Sequence, residues 1–107
     1  MTVPEIDVTH LPDDAVLLDV REPAEWAAGR APHAVLVPLG EIADRLGELP
    51  TTGGTIPVIC RVGVRSARVT AFLLAQGFEA VNVAGGMQSW AAAGKPMLAD
   101  EGEPAVI

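Results

Sequence analysis

The stretch Cys60-Arg61-Val62-Gly63-Val64-Arg65-Ser66 decides the fold, because it joins two segments of different periodicity. The apolar run before it, residues 56–59, is typical of a buried strand. After it, apolar residues recur at helical spacing from residue 67 to residue 76. The stretch is therefore predicted to be a tight loop between the carboxyl end of a strand and the N-terminus of a helix.

The single cysteine of the chain, Cys60, stands where the predicted strand ends. Ligands of open α/β sheets bind beyond the carboxyl ends of the strands, and a helix N-terminus offers unpaired N–H groups to an anion. A thiol at this place is predicted to ionise easily and to act as a nucleophile. The alternative is a buried cysteine that packs as a small apolar side chain. The flanking Arg61 and Arg65, and Gly63 as a turn residue, favour the reactive thiol.

The composition describes one globular domain with an acidic surface. The chain has 107 residues, of which 50% are hydrophobic and 20% are charged, which suits a single core. Its formal net charge of -7 argues against nucleic acid and anionic membrane as partners. Residues 49–78 contain no Asp or Glu, whereas Arg61, Arg65 and Arg68 lie among them. The loop is therefore predicted to be electropositive and to suit a small anion.

The environment predicted from the sequence is a reducing cytoplasm. One cysteine cannot form an internal disulfide, and the start of the chain has neither a basic region nor a long apolar run. No apolar run approaches the roughly eighteen residues of a membrane-spanning helix. His10 and His33 have no neighbouring ligands that suggest a metal, so no metal or other cofactor is expected. The protein is also expected to be a monomer.

Strand-like and helical segments alternate along the chain, which predicts a three-layer α/β/α fold with a mainly parallel five-stranded sheet. Residues 7–12 are predicted to be a turn or short helical piece, residues 50–54 a loop, and residues 98–107 a loosely ordered acidic tail after one domain at residues 1–97. Ala67, Ala71 and Leu74 are expected on one apolar stripe of their helix, and Trp26 and Trp90 in the core or a pocket wall. The predicted strands are residues 2–6, 15–20, 34–37, 56–60 and 80–83. The predicted helices are residues 24–28, with Pro23 suited to the first helical position, and residues 39–49, 64–76 and 87–93.

Three segments together resemble the rhodanese family of sulfurtransferases. They are residues 17–26 (Leu-Leu-Asp-Val-Arg-Glu-Pro-Ala-Glu-Trp), the Cys60 loop, and residues 83–90 (Val-Ala-Gly-Gly-Met-Gln-Ser-Trp) with Gly94 and Pro96. The resemblance spans residues 16–96 and implies a five-stranded parallel α/β/α domain with Cys60 at the bottom of a shallow pocket. It departs at residues 29–34, where Arg30 replaces the usual histidine and His33 replaces a glycine. The backbone at His33 is therefore expected to keep a negative φ.

The resemblance implies an enzyme that carries a sulfane sulfur as a persulfide on Cys60. A donor such as thiosulfate supplies the sulfur, and a thiophilic acceptor such as a thiol, cyanide or a thioredoxin-type protein removes it. Backbone N–H groups of residues 61–66 are expected to hold the anionic sulfur, with Gly63 allowing their close approach. Arg61 and Arg65 either lower the thiol pKa and bind an anionic donor or are solvated surface side chains.

The other residues of the predicted site have supporting roles. Val62 and Val64 at the pocket rim favour an organic persulfide or a protein thiol over a small inorganic ion. Ser66 is interpreted as a first-turn hydroxyl that ties the loop rather than as a nucleophile. Asp19 and Arg21 are interpreted as a structural ion pair under the loop, or as one that orients it.

Two other functions compete with sulfur transfer. A cysteine phosphatase of similar fold has five residues between its cysteine and arginine, whereas Cys60 and Arg65 enclose four, so a phosphoryl group is expected to fit poorly. The second alternative is a non-enzymatic sulfur-relay or interaction module that acts with a partner protein. Retention of the cysteine argues against an inert domain but not against a relay.

Overall fold

The computed structural model describes residues 2–51 and 54–107, so Met1 and the Thr52-Gly53 part of the predicted loop lie outside the described residues. The described chain forms five strands, which are β1 (Glu5–Ile6), β2 (Leu18–Asp19), β3 (Val35–Leu36), β4 (Ile56–Ile59) and β5 (Ala80–Val83). Its α-helices are α1 (Pro23–Ala28), α2 (Val64–Ala75) and α3 (Gly86–Ala92). Short 3-10 helices cover Val8–His10, Leu39–Asp44 and Leu46–Glu48.

The strands form one sheet in the order β1-β5-β4-β2-β3, and every pair is parallel. This confirms the predicted fold class. Because β4 is the middle strand, its carboxyl end lies between the ends of β2 and β5. The segments that follow these three strands, which lead into α1, α2 and α3, therefore meet at one edge of the sheet. Cys60 directly follows β4 at this edge.

Both faces of the sheet are covered, as β4 shows most directly. Val58 packs into one buried apolar cluster and Ile59 into another, and both side chains are fully buried. Successive side chains of a strand point to opposite faces, so the two clusters lie on opposite sides of the sheet. Trp90 is fully buried in the second cluster, whereas Trp26 is half-buried.

Several predicted boundaries agree with the structure. Helix α1 begins at Pro23, whose fixed φ and missing N–H suit the first helical position. A reciprocal pair of hydrogen bonds between Glu22 and Glu25 caps it. Strand β5 has its predicted bounds, and the 3-10 helix at Val8–His10 confirms the short helical piece. No residue other than glycine has a positive φ in the described ranges, so the prediction for His33 is also confirmed.

The predicted helix at residues 39–49 is wrong, because the segment forms two 3-10 helices instead. The N–H of Glu41 donates to the carbonyl of Pro38, and that of Arg45 to the carbonyl of Ile42, so the bonds close over three residues. Gly40 and Gly47 weaken any α-helix here, since glycine in a helix interior costs roughly 1 kcal/mol relative to alanine.

The apolar stripe predicted for α2 is also wrong. Its buried residues are Ser66, Val69, Thr70 and Leu73, whereas Leu74 is exposed. The sequence pattern misleads because two polar side chains lie on the buried face. Thr70 Oγ1 donates to the carbonyl of Ser66 at 2.7 Å, and the Ser66 hydroxyl also has a partner, so both can be buried at little cost.

The C-terminal segment, predicted to be a loosely ordered tail, packs along α1 in the structure. The backbones of Leu98 and Arg30 exchange two hydrogen bonds of 2.9 Å, and Ala105 N donates to the carbonyl of Ala28. Val106 packs against the second apolar cluster. The acidic composition of this segment indicated a solvent-exposed tail, so its apolar contacts could not be predicted from it. No helix in the described ranges is long and apolar enough to cross a membrane.

Candidate active site

Cys60 lies in the loop between β4 and α2, and only 1% of the residue is exposed. Burial alone would also fit an inert core cysteine. The surroundings of the sulfur distinguish the two cases. Gly63 N and Ser66 Oγ each donate a hydrogen bond to Cys60 Sγ at 3.1 Å. The sulfur therefore sits among donors, which favour its anionic form.

The balance of burial and hydrogen bonding lowers the pKa of Cys60. Burial raises the pKa of the thiol, but hydrogen bonds from the Ser66 hydroxyl and from the N–H groups of Ser66, Gly63 and Val62 outweigh it. Arg65 acts in the same direction, since thiolate and guanidinium attract each other. The sequence predicted that arginines would lower this pKa, whereas the structure gives the larger part to hydrogen bonds within the loop.

Gly63 gives the loop its curvature. Its φ of 104° lies in the left-handed region, where a side chain would be strained, and it precedes the first residue of α2. Asn82 of β5 donates from Nδ2 to the carbonyl of Gly63 at 3.1 Å and to Glu5 Oε2 at 2.9 Å. The neighbouring strand thus fixes the Gly63 carbonyl at the end of the loop, next to the residue whose N–H binds the sulfur.

The N-terminal turn of α3 donates hydrogen bonds to the backbone of the Cys60 loop. Met87 N donates to the carbonyl of Cys60 at 2.8 Å, and Gln88 N donates to the carbonyl of Arg61 at 3.0 Å. Gly86, with φ of 54°, makes this approach possible, because a Cβ there would lie 2.5 Å from the Cys60 carbonyl oxygen. The loop is therefore held by β5 and by the helix that follows it.

Arg65 forms a two-pronged ion pair with Glu25 of α1. Its two terminal nitrogens donate to the two carboxylate oxygens at 2.7 and 2.8 Å. The hydrogen bond from Arg65 is the main reason why the pKa of Glu25 is lowered from 4.5 to about 2. The predicted electropositive loop thus has a carboxylate beside it that the sequence did not reveal.

Arg61, Val62 and Val64 lie on the outer side of the loop. Arg61 is exposed, and its Nε donates to the main-chain oxygen of Ile107 at 3.1 Å. Val62 is 41% exposed and Val64 is 66% exposed, which is high for apolar side chains. The rim of the site therefore offers apolar surface beside one exposed guanidinium.

Asp19 and Arg21 form a fully buried ion pair, with Arg21 Nη2 and Asp19 Oδ2 2.8 Å apart. Among the described residues, neither side chain forms a hydrogen bond to the Cys60 loop. Arg21 donates to the carbonyls of Glu25 at 3.3 Å and Gly29 at 2.7 Å, so the pair anchors α1 to the sheet. Because Glu25 lies on α1, the Asp19–Arg21 pair also helps to fix the carboxylate that binds Arg65.

Arg30, which stands where the resemblance leads one to expect histidine, faces the C-terminal segment. Its guanidinium lies 5.0 Å from the centre of the Trp26 ring and 2.8 Å from Asp100 Oδ1.

A groove of about 220 Å³ between α2 and the 3-10 helix Leu39–Asp44 includes no residue of the Cys60 loop. In the described ranges, no three His, Cys, Asp or Glu side chains are grouped as a metal would need.

Glu25, Asn82 and the start of α3 were missed by the sequence reasoning. Glu25 is 40 residues from Arg65, and Asn82 is 19 residues from Gly63. One signal bears on Glu25. It lies in the helix that follows a predicted parallel strand, and the carboxyl ends of parallel strands lie at one edge of a sheet. This places its helix at the edge that carries Cys60, but the pairing with Arg65 also requires the strand order.

Comparison with known proteins finds similar sequences and folds over most of the chain. The family model described as "Rhodanese-like domain" matches residues 8–93. A protein of Allochromatium vinosum named "Sulfurtransferase" is 40% identical over 91 residues, which are 84% of each chain. A rhodanese-related protein of Thermoplasma volcanium has a similar structure, with a TM-score of 0.82, 33% identity, and coverage of 92% of this chain and 99% of that one. A thiosulfate sulfurtransferase of Pseudomonas aeruginosa gives a TM-score of 0.78 at 26% identity, and the match covers 95% of this chain but 21% of that one.

Proposed function

The chain belongs to the rhodanese-like sulfurtransferase family, and from this premise we propose that it carries a sulfane sulfur as a persulfide on Cys60. The donor is a small anionic sulfur compound such as thiosulfate, or an organic persulfide. The acceptor is thiophilic, for example a thiol, cyanide or a thioredoxin-type protein. We propose further that the protein is a cytoplasmic monomer and that it needs no metal or other cofactor.

The proposed reaction has two displacements at sulfur. In the first, the Cys60 thiolate attacks the outer sulfur of thiosulfate, an S–S bond forms to Cys60, and sulfite leaves with the electron pair of the broken bond. In the second, the acceptor attacks the terminal sulfur of the persulfide and the Cys60 thiolate leaves. With cyanide as the acceptor, the product is thiocyanate. Atoms and charge balance in both steps without an external oxidant or reductant.

The observation that carries this proposal is the set of donors around Cys60 Sγ. Two hydrogen bonds of 3.1 Å reach the sulfur from Gly63 N and Ser66 Oγ. They lower the pKa of the thiol and stabilise the thiolate as nucleophile in the first step and as leaving group in the second. Preorganised donors of this kind stabilise developing negative charge without reorganisation during the reaction.

Mass spectrometry of the intact protein tests the proposal. After treatment with thiosulfate or an organic persulfide, the protein is expected to gain the mass of one sulfur atom and to lose it when cyanide is added. Cys60→Ser is the control, because Cys60 is the chain's one cysteine. Absence of the added sulfur with both donors, or an equal gain in the Cys60→Ser variant, would show that the proposal is wrong.

A sulfur relay to a partner protein is the second candidate, favoured by the exposed Val62 and Val64 at the rim. An apolar rim suits contact with another protein better than contact with a small ion. A relay predicts slow discharge of the persulfide by cyanide and faster discharge by a reduced thioredoxin-type protein. Faster discharge by cyanide would favour the enzyme that acts on small molecules.

A cysteine phosphatase is disfavoured by the loop, in which four residues separate Cys60 and Arg65. Arg65 also has both terminal nitrogens bonded to Glu25, so they do not point to a common phosphate position with the loop N–H groups. Hydrolysis of an aryl phosphate is expected to be negligible beside sulfur transfer. Comparable rates would reverse this assignment.

A further inference from the structure

Glu25 is the acidic side chain beside the candidate site that none of the roles above uses. Its carboxylate is 16% exposed and the Arg65 side chain is 34% exposed, so the pair is partly shielded from solvent. Planar pairing through two parallel N–H···O bonds is the strongest arrangement available to arginine and carboxylate. Because the pKa of Glu25 is about 2, the carboxylate is ionised at neutral pH.

The position of Glu25 is fixed by its own helix. Its Oε1 also accepts a hydrogen bond from Glu22 N at 3.0 Å, as part of the cap of α1. Its carbonyl accepts from Arg21, which the buried Asp19 holds in place. A carboxylate held at both backbone and side chain is a fixed partner for Arg65.

This pairing changes what the site offers to a donor. The first of its two arginines, Arg61, donates from Nε to the main-chain oxygen of Ile107, and the second, Arg65, is neutralised by Glu25. Thiosulfate brings two negative charges and releases sulfite with two. A donor whose leaving group is an otherwise uncharged thiol places far less charge beside the Glu25 carboxylate.

We propose that Glu25 determines donor specificity, because it holds Arg65 and thereby selects organic persulfides with an uncharged thiol leaving group over thiosulfate. This inference rests on the proposed sulfur transfer to Cys60. For such a donor, the Cys60 thiolate attacks the outer sulfur of the persulfide anion RSS⁻. The S–S bond of the donor breaks, RS⁻ leaves with its electron pair, and the charge of Cys60–S–S⁻ equals that of the original thiolate.

The variant Glu25→Gln tests the proposal, since it removes the charge and keeps the shape and one acceptor oxygen. Its rate constant kcat/KM for Cys60 persulfide formation from thiosulfate is expected to rise about tenfold, as one charge-assisted contact becomes available to the dianion. The rate constant with 2-hydroxyethyl persulfide, whose leaving thiol carries no other charge, is expected to stay unchanged. Glu25→Asp keeps the charge and is expected to keep the donor ratio of the wild type.

Glu41→Gln is the matched control, because it removes the same charge from an exposed pair with Arg45 at another place in the chain. It is expected to leave the donor ratio unchanged, whereas an equal rise in both variants would assign the effect to net charge and overturn the proposal. Equal losses with both donors in Glu25→Gln would assign Glu25 a structural role and also overturn it. If wild-type protein forms no persulfide with either donor, the underlying sulfur transfer fails instead.

Discussion

Two groups of arginine–carboxylate pairs in this molecule have nearly the same bond lengths but different surroundings. The thiol-side network consists of Asp19, Arg21, Glu25 and Arg65, with closest distances of 2.7 to 2.8 Å. The exposed cluster consists of Glu41, Arg45 and Glu48, with distances of 2.8 and 2.9 Å. The thiol-side network joins β2, α1 and α2, whereas the exposed cluster lies within one short segment.

The difference shows that distance alone does not tell what an ion pair does. Arg21 and Asp19 are fully buried, whereas the Glu41 and Glu48 side chains are more than half exposed. A buried charge cannot lose its partner without a large desolvation cost, while water replaces a lost surface partner. The position of the thiol-side network in the fold therefore determines how much it contributes to stability and brings it next to the Cys60 loop.

The largest expected effect comes from breaking the buried pair. Arg21→Met leaves Asp19 buried without its partner, which is expected to lower the free energy of unfolding by about 3 to 5 kcal/mol. Arg45→Met is the matched change in the exposed cluster and is expected to have no resolvable effect. Urea denaturation followed by circular dichroism measures both.

If Arg21→Met does not fold, the double variant Asp19→Leu/Arg21→Met keeps the comparison testable. Removing both charges is expected to restore part of the lost stability, because no buried charge remains unpaired. Equal losses in Arg21→Met and Arg45→Met would remove the distinction between the two groups of pairs.

The next largest effect is expected from removing a hydrogen bond to Cys60 Sγ. It tests whether these hydrogen bonds, rather than the thiol-side network, determine the reactivity of the thiol. Ser66→Ala removes the hydroxyl donor, so the pKa of Cys60 is expected to rise toward its ordinary value. The rate of alkylation by iodoacetamide at pH 7 is then expected to fall about tenfold, the value of one hydrogen bond to a charged group.

Thr9→Ala is the control for Ser66→Ala, since it removes a hydroxyl that bonds to Asp7 and not to the thiol. Its alkylation rate is expected to match that of the wild type at every pH. A pH profile of Ser66→Ala that also matches the wild type would mean that the arginine network, rather than the loop, sets thiol reactivity.

A smaller effect is expected in acid. The pKa of Glu25 is lowered from 4.5 to about 2, chiefly by the hydrogen bond from Arg65. Its contribution to stability is therefore complete above pH 4.5 and is lost as the pH falls from 4.5 toward 2. We expect a contribution of about 1 kcal/mol, because solvent screens the one-third exposed Arg65.

The measurement is the free energy of unfolding of wild type and Glu25→Gln from pH 7 to pH 2. The wild type is expected to be more stable at pH 7, with the difference vanishing toward pH 2. A difference that stays constant over this range would show that titration of Glu25 does not contribute to it.

The smallest effect is expected in the exposed cluster. Arg45 lowers the pKa of Glu48, but the Glu48 side chain is 57% exposed, so water and salt screen the pair. Glu48→Gln is therefore expected to leave thermal unfolding and sulfur transfer unchanged. A clear loss of either would show that the exposed cluster contributes more than its surroundings suggest.

The sequence predicted most of the fold because its signals are local. Pro23 marked the start of α1, and the apolar runs at β4 and β5 predicted buried parallel strands. The errors have physical causes in tertiary packing. Ser66 and Thr70 are buried because each finds a hydrogen-bond partner in the folded chain, which a count of apolar residues does not show.

The candidate site was predicted only where it is contiguous in sequence. The Cys60 loop lies where its strand and helix signals placed it, but its partners come from elsewhere in the chain. Arg65 was expected to face an anion, whereas α1 brings Glu25 to it across 40 residues. Neither this pair nor the Asn82 contact can be inferred until the strand order places β2 and β5 beside β4.

The single cysteine of the chain has a kinetic consequence. The proposed persulfide on Cys60 would have no second thiol in this sequence to attack it, so its discharge would require another molecule. Its lifetime is then set by how often an acceptor arrives rather than by an internal rearrangement. Donor and acceptor visit the same sulfur in turn, which predicts ping-pong kinetics with parallel double-reciprocal plots. The protein would act as a store of one sulfur atom between two encounters.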